Sequence, residues 1–230
     1  MTDPSRSPLA TQVVDLVPDR PRGRPVFGLV VHCSGRSIVE KAQRAGADVL
    51  EYVVGYYRAA EYSAHYVIGH DGGIVQVTAD DRRVPHVGVT ADERTLYRSG
   101  RWRTDKRLVA SAVQRWDARW FPWVSPNVLF PSTAPNDDYV GVELPPLAKP
   151  TADGLWYTLA QHQAVARLAS DLRARHGWPS WPSRGAPCQR LLGHEDLDAF
   201  GRWDKGGGWD PGALRAQPRF LWSAVQAGLR

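Results

Sequence analysis

One segment constrains this chain more than any other: Val26-Phe27-Gly28-Leu29-Val30-Val31, an unbroken apolar run rich in β-branched residues. Strict alternation would mark a strand with one wet face. A continuous run suits a strand buried on both faces, which requires a sheet with cover on either side. The run is far shorter than the roughly 20 apolar residues that span a bilayer. It ends at His32-Cys33-Ser34-Gly35, so an imidazole stands where the strand stops.

The rest of the chain supplies the other layers. Val49, Leu50, Val53, Val54 and Tyr57 recur at helical spacing over 47–57. A strand is predicted over 64–68 and its partner over 74–77, joined at Asp71-Gly72-Gly73, a hairpin signal. Tyr139 to Leu144 reads as a further strand, stopped by Pro145-Pro146. The clearest helix runs over 155–176, with Leu155, Leu159, Val165, Leu168 and Leu172 as its apolar stripe and Gly177 as its stop. Leu191-Leu192 forms a short strand that leads to Gly193-His194, and a last helix covers about 217–227. Strands alternating with helices predict an α/β domain around one sheet. Residues 1–24, rich in Pro, Arg and Asp, read as an irregular arm, and 25–230 as the domain. Residues 91–138, dense in Arg, Trp and Pro, read as a long insertion with one helix over 106–116.

Composition narrows the classes. Hydrophobic residues are 43% and charged residues 23% of the chain, which excludes disorder as the main state. Two cysteines, Cys33 and Cys188, exclude a disulfide scaffold and a four-cysteine zinc site, and leave open whether they are reduced or bridged. The net charge of +5 suits an anionic partner, and equally suits mere solubility. The start, Met-Thr-Asp-Pro-Ser-Arg-Ser-Pro, lacks the apolar stretch of a secretory signal. A cytoplasmic place is expected, or release by lysis or unconventional export.

Two histidines end strands, His32 and His194, and Asp204 follows ten residues after the second. Two imidazoles and a carboxylate, with a position left for water, are the ligands of a catalytic zinc site. Taken by spacing alone, a capped or surface histidine is the commoner outcome.

Four separated segments carry a resemblance. They are Val30-Val31-His32-Cys33-Ser34; Ser63-Ala64-His65-Tyr66-Val67-Ile68 with Asp71-Gly72-Gly73 and Pro85-His86-Val87-Gly88; Val140-Gly141-Val142-Glu143-Leu144; and Gly193-His194-Glu195-Asp196-Leu197 followed by Arg202-Trp203-Asp204-Lys205-Gly206 and Trp209-Asp210. Each is weak alone. In this order they resemble the zinc-dependent N-acetylmuramoyl-L-alanine amidases, a family that includes phage amidases, muropeptide-recycling amidases and peptidoglycan recognition proteins. The recycling branch is the nearest match.

The resemblance implies a single mixed central β-sheet flanked by helices, a Zn2+ cofactor held by His32, His194 and Asp204, and a peptidoglycan or muropeptide substrate. Asp210 competes with Asp204 for the third ligand position. Glu143 matches the family's catalytic Glu. The family's Lys falls on Arg202, with Lys205 a neighbouring candidate for steadying an oxyanion. His86 matches a substrate-side His. A monomer is expected, with neither a nucleic-acid partner nor a transmembrane segment. A protein that binds peptidoglycan without cutting it is the alternative, and nucleic-acid binding by the Arg/Trp-rich insertion a weaker one. The insertion itself lies outside the resemblance. Its ends flank the His86 and Glu143 segments, so it is expected to wall the groove, with Trp120 and Trp123 against sugar faces. Strand alternation points Cys33 away from His32 and into the core.

Overall fold

The structure is a computed structural model that describes residues 3–16, 20–60, 63–87, 135–181, 190–194, 211 and 220–229. The expected helix over 106–116 lies outside these residues, as do Cys188 and the insertion up to residue 134.

Six strands form one mixed sheet: β1 (Gln12–Val13), β3 (Gly28–Cys33), β4 (Tyr66–Ile68), β5 (Ile74–Gln76), β7 (Tyr139–Leu144) and β8 (Leu191–Gly193). Across the sheet the order is β1-β5-β4-β7-β3-β8. The pairs β4–β7, β7–β3 and β3–β8 are parallel, and β4–β5 is the antiparallel hairpin. The Val26–Val31 run leads into and forms most of β3, whose edges pair with β7 and β8. Leu29 and Val31 are buried in one core cluster and Val30 in another, so both faces are covered, which accounts for the lack of alternation. Separately, β2 (Arg20–Pro21) pairs with β6 (Arg82–Arg83) as a small antiparallel ribbon.

One face carries the main core. Leu29, Val31, Tyr66, Ile68, Val140, Val142 and Leu144 project from the strands onto α4 (Leu159–Arg175) and α5 (Trp222–Gly228), together with Phe220 and Trp222. Cys33 packs against this cluster, on the face opposite His32. The other face is divided. α1 (Arg36–Arg44) and α2 (Val49–Ala59) cover Val67, Val75 and Val77 through Ile38, Val53, Val54 and Tyr57. Beside them, Val30, Val87, Tyr139 and Leu192 form a smaller cluster under the segment that carries His86. The short α3 (Pro135–Asp138) leads straight into β7.

Local chemistry explains the element ends. α4 opens with a capping box: Thr158 Oγ1 accepts the Gln161 N–H and Gln161 Oε1 accepts the Thr158 N–H. Buried Gln161 also donates through Nε2 to Pro145 O, 2.9 Å away, which ties the helix to the end of β7. The helix stops before Gly177, whose φ of +63° is the left-handed conformation glycine tolerates. The hairpin turns through Gly72 at φ +83°, with the Asp71 carboxylate accepting the Gly73 N–H. The predicted stripe of α4 differs at Leu159, which is 62% exposed; the apolar face starts at Ala164 and Val165.

The first 24 residues are more structured than an irregular arm. They add β1 to the sheet edge in parallel with β5, and β2 to the ribbon. A buried polar network anchors them. Ser7 donates to Gln76 and Asp171, and Arg175 donates to Pro4 O and to the fully buried Asp80 carboxylate. Asp80 also accepts from Tyr66 Oη–H at 2.6 Å and lies 3.1 Å from His176 Nε2. Among the described residues no helix is long and apolar enough to cross a membrane.

Candidate active site

Strand register assembles the centre of the site. In the β3–β7 pair, His32 stands opposite Glu143; in the β3–β8 pair, Val31 stands opposite Gly193, so His194 follows at the level of His32. Three chemically competent side chains therefore occupy one row at the C-terminal ends of three adjacent parallel strands. Parallel partners share a face, which puts His32 and Glu143 on the same side of the sheet. All three are buried: His32 is 2%, Glu143 7% and His194 1% exposed.

The imidazoles are close enough to fix each other's protons. His32 Nδ1 lies 2.8 Å from His194 Nδ1, and His32 Nε2 lies 2.9 Å from His86 Nδ1. The far nitrogen of His86, Nε2, lies 3.0 Å from the Tyr139 carbonyl. A carbonyl only accepts, so His86 Nε2 carries a proton. Burial pushes the His86 imidazole down to about 3, and the Arg22 charge adds to this, so at neutral pH its Nδ1 is a bare acceptor. The proton between His86 and His32 then belongs to His32 Nε2. In its neutral form His32 presents a lone pair at Nδ1, directed at His194.

His65 extends this column of rings. Its Nδ1 accepts the Gly141 N–H at 3.0 Å and its Nε2 donates to Arg82 O, so it is a structural residue held by backbone. Burial and the Arg22 charge hold it well below the usual histidine range. Arg22 closes the far end. Its guanidinium donates to Asp80 O, Asp137 O, Tyr139 O and Arg82 O. Burial lowers it to about 10, and the Asp80 charge is the largest opposing influence.

His86, expected on the substrate side, is 6% exposed, and its two ring nitrogens meet His32 Nε2 and Tyr139 O, so the ring backs His32. Three supporting residues were not singled out by sequence reasoning for this role. Asn136 clamps the His86 segment, its Oδ1 accepting the His86 and Val87 N–H groups and its Nδ2 donating to Val87 O. Arg22 pins the Tyr139 carbonyl. Gly141 lets the ring lie on β7, since a Cβ there would stand 2.7 Å from His86 Nδ1 and 2.8 Å from its Cγ. The Gly in Val-Gly-Val-Glu was the one visible signal, since a glycine inside a strand marks a close approach.

Arg202, Asp204, Lys205, Asp210, Trp120 and Trp123 lie outside the described residues. Among the described residues no group of three or more His, Cys, Asp or Glu side chains is disposed to hold a metal ion. His32 and His194 bring two converging ring nitrogens to one point, with the Glu143 carboxylate on the neighbouring strand.

A comparison with curated proteins gives no significant match. Among solved structures, a selenomethionine derivative of AmpD aligns over 100% of this chain and 99% of its own, at 23% identity and a TM-score of 0.53. AmpD from Citrobacter freundii aligns over 96% and 91%, at 23% identity and a TM-score of 0.44. An endolysin N-acetylmuramoyl-L-alanine amidase, LysCS from Clostridium intestinale, aligns over 98% and 99%, at 12% identity and a TM-score of 0.40. Only the first overlay is close enough to speak to the fold, and it supports the mixed sheet with flanking helices. The family model for N-acetylmuramoyl-L-alanine amidase matches residues 22–213, which contain every strand of the site row and all four histidines of the column. The chain belongs to the N-acetylmuramoyl-L-alanine amidase family.

Proposed function

We propose that this amidase hydrolyses the amide between the lactyl group of N-acetylmuramic acid and the L-alanine of the stem peptide, using a zinc ion held by His32, His194 and Asp204. The observation that carries the reading is the row of His32, Glu143 and His194, with two ring nitrogens meeting at 2.8 Å.

The donor set fits zinc. Imidazole nitrogens are among its commonest ligands, and a catalytic site uses three protein ligands with a place for water. Ligand atoms about 2.0–2.1 Å from a tetrahedral zinc stand about 3.3 Å apart. The His32 and His194 nitrogens, at 2.8 Å, need part by only about half an ångström. Both rings end strands of a packed sheet, so little else has to move. When bound, the ion would polarise the scissile carbonyl and acidify water to a pKa of about 7.

The remaining work falls to the chain. The Glu143 carboxylate takes a proton from the attacking water and hands it to the departing amine nitrogen. One water is consumed: its oxygen ends in the lactyl carboxylate, and the C–N bond breaks to free the L-alanine amine. Burial of Glu143 keeps bulk water from competing for that proton. Arg202 or Lys205 balances the negative charge that develops on the carbonyl oxygen. Trp120 and Trp123 wall the groove against sugar faces. The substrate is peptidoglycan or its soluble fragments, met by a monomer composed of an arm (1–24) and an amidase domain (25–230).

Digestion of purified sacculi beside soluble muropeptides, with mass analysis of the products, tests this reading. The expected products are stem peptides with a free L-alanine amine and sugars that keep the lactyl carboxylate. Cleavage at a glycosidic or peptide–peptide bond, or intact substrate in zinc-loaded protein, would overturn it.

A further inference from the structure

We propose that His86 is a positioning residue for His32: it holds the His32 proton on Nε2, and so leaves Nδ1 bare and directed at His194, where the metal is taken up. This rests on the metal reading above, and extends it to a residue that touches neither metal nor substrate.

The hydrogen bonds allow one arrangement. The Tyr139 carbonyl needs a donor, and His86 Nε2 is the ring atom 3.0 Å away. Turning the ring over would put carbons at both contacts and lose both bonds. The carbonyl cannot drift, because Arg22 Nη1 donates to the same oxygen at 3.1 Å. The His86 backbone cannot drift either, because Asn136 takes its N–H at 3.0 Å. The ring has no room to swing, since it lies on the Cα of Gly141. A neutral imidazole fixed this way accepts at Nδ1, and His32 Nε2 is the donor it meets at 2.9 Å. The two rings are nearly perpendicular, at 83°, with centroids 5.1 Å apart. A metal-binding histidine depends on such a partner on its other nitrogen, and loss of the partner typically costs about 10–100-fold in metal affinity.

The test uses nitrogen-15 NMR of the full-length metal-free protein, with zinc titration of the same samples. In the parent, His32 should show its proton on Nε2. His86→Ala should mix the two tautomers and weaken zinc binding about 10–100-fold. His86→Asn, which offers an amide oxygen near the place of Nδ1, should recover most of both. A purely structural role would leave the tautomer unchanged in any folded variant. A His32 proton on Nδ1 in the parent, or an unchanged tautomer and zinc affinity in His86→Ala, would overturn the proposal. If His86→Ala does not fold, the parent spectrum and His86→Asn decide by the same criteria. Failure of the metal reading is separately visible: the parent then takes up no zinc whatever its His32 tautomer, and the proposed purpose of the arrangement falls with it.

Discussion

Replacing Gly141 by Ala should damage the protein through His86 alone. The added Cβ would lie 2.7, 2.8 and 3.2 Å from His86 Nδ1, Cγ and Cβ. Ordinary carbon contacts are about 3.5–4.0 Å, so the ring must retreat by about 0.7–1 Å. Hydrogen bonds of 2.9 and 3.0 Å at its two ends do not survive that shift. Overpacking typically costs about 1–3 kcal/mol and each lost bond about 1 kcal/mol. Alanine returns about 0.5–1 kcal/mol by restricting the unfolded chain. The net loss is about 2–4 kcal/mol, or about 5–15 °C in Tm for a chain of this size. In a His86→Ala background the obstacle is gone, and Gly141→Ala should be neutral or slightly stabilising. Urea unfolding of the four proteins of this cycle should therefore give a coupling of at least about 2 kcal/mol. Equal destabilisation in both backgrounds, or a harmless Gly141→Ala in the parent, would refute the packing argument and the fixed ring with it.

Further outcomes are specific. Glu143→Gln should keep fold and bound zinc but lose about 10²–10⁴-fold in kcat, since the amide cannot take a proton; an unchanged rate removes Glu143 from the chemistry. His162 joins α4 to the segment leading into α5, donating from Nδ1 to Thr158 O and accepting the Leu221 N–H at Nε2. Burial holds it down to about 4 against an unfolded value of 6.5. Its contribution is complete above pH 6.5 and fades as pH falls towards 4, by about 3 kcal/mol in all. His65 and His86 act in the same direction, so the check is a difference: urea stability of His162→Gln should fall less steeply over this window than the parent, and parallel curves would exclude the linkage. Asp80→Asn should cost about 1–3 kcal/mol, measured by thermal unfolding, because the Arg175 guanidinium and the Tyr66 hydroxyl lose a charged acceptor while Arg175 keeps Asp171; a shift within about 0.5 kcal/mol would contradict the anchoring role given to this network.

What was legible in the sequence follows from what pattern can encode. β3 and β7 are long apolar strands bounded by turn residues, and the hairpin carries its own Asp-Gly-Gly signal. Each is visible within ten residues. α1 was not, because only Ile38, Val39 and Ala42 are buried and no side chain caps its start. The strands of the arm escaped because two residues hold no periodicity. His32 and His194 stood out as histidines at strand ends, and motif order suggested Glu143. Their meeting in one row is a matter of register between strands up to 162 residues apart, which no local window contains. The same limit explains His86. Its neighbours in sequence say nothing of Tyr139 O, Arg22 or Gly141, and it is those contacts that set the ring behind His32.

The central claim is that two ring nitrogens, His32 Nδ1 and His194 Nδ1, hold the metal of an amidase. X-ray diffraction from zinc-loaded crystals, recorded on either side of the zinc absorption edge, tests this most directly. The account predicts one strong anomalous peak between those two atoms, about 2.0–2.1 Å from each, with His86 still bonded to His32 Nε2. A peak on the Nε2 side of His32, a peak at His65 or elsewhere, or no peak in protein that cleaves muropeptides would contradict it.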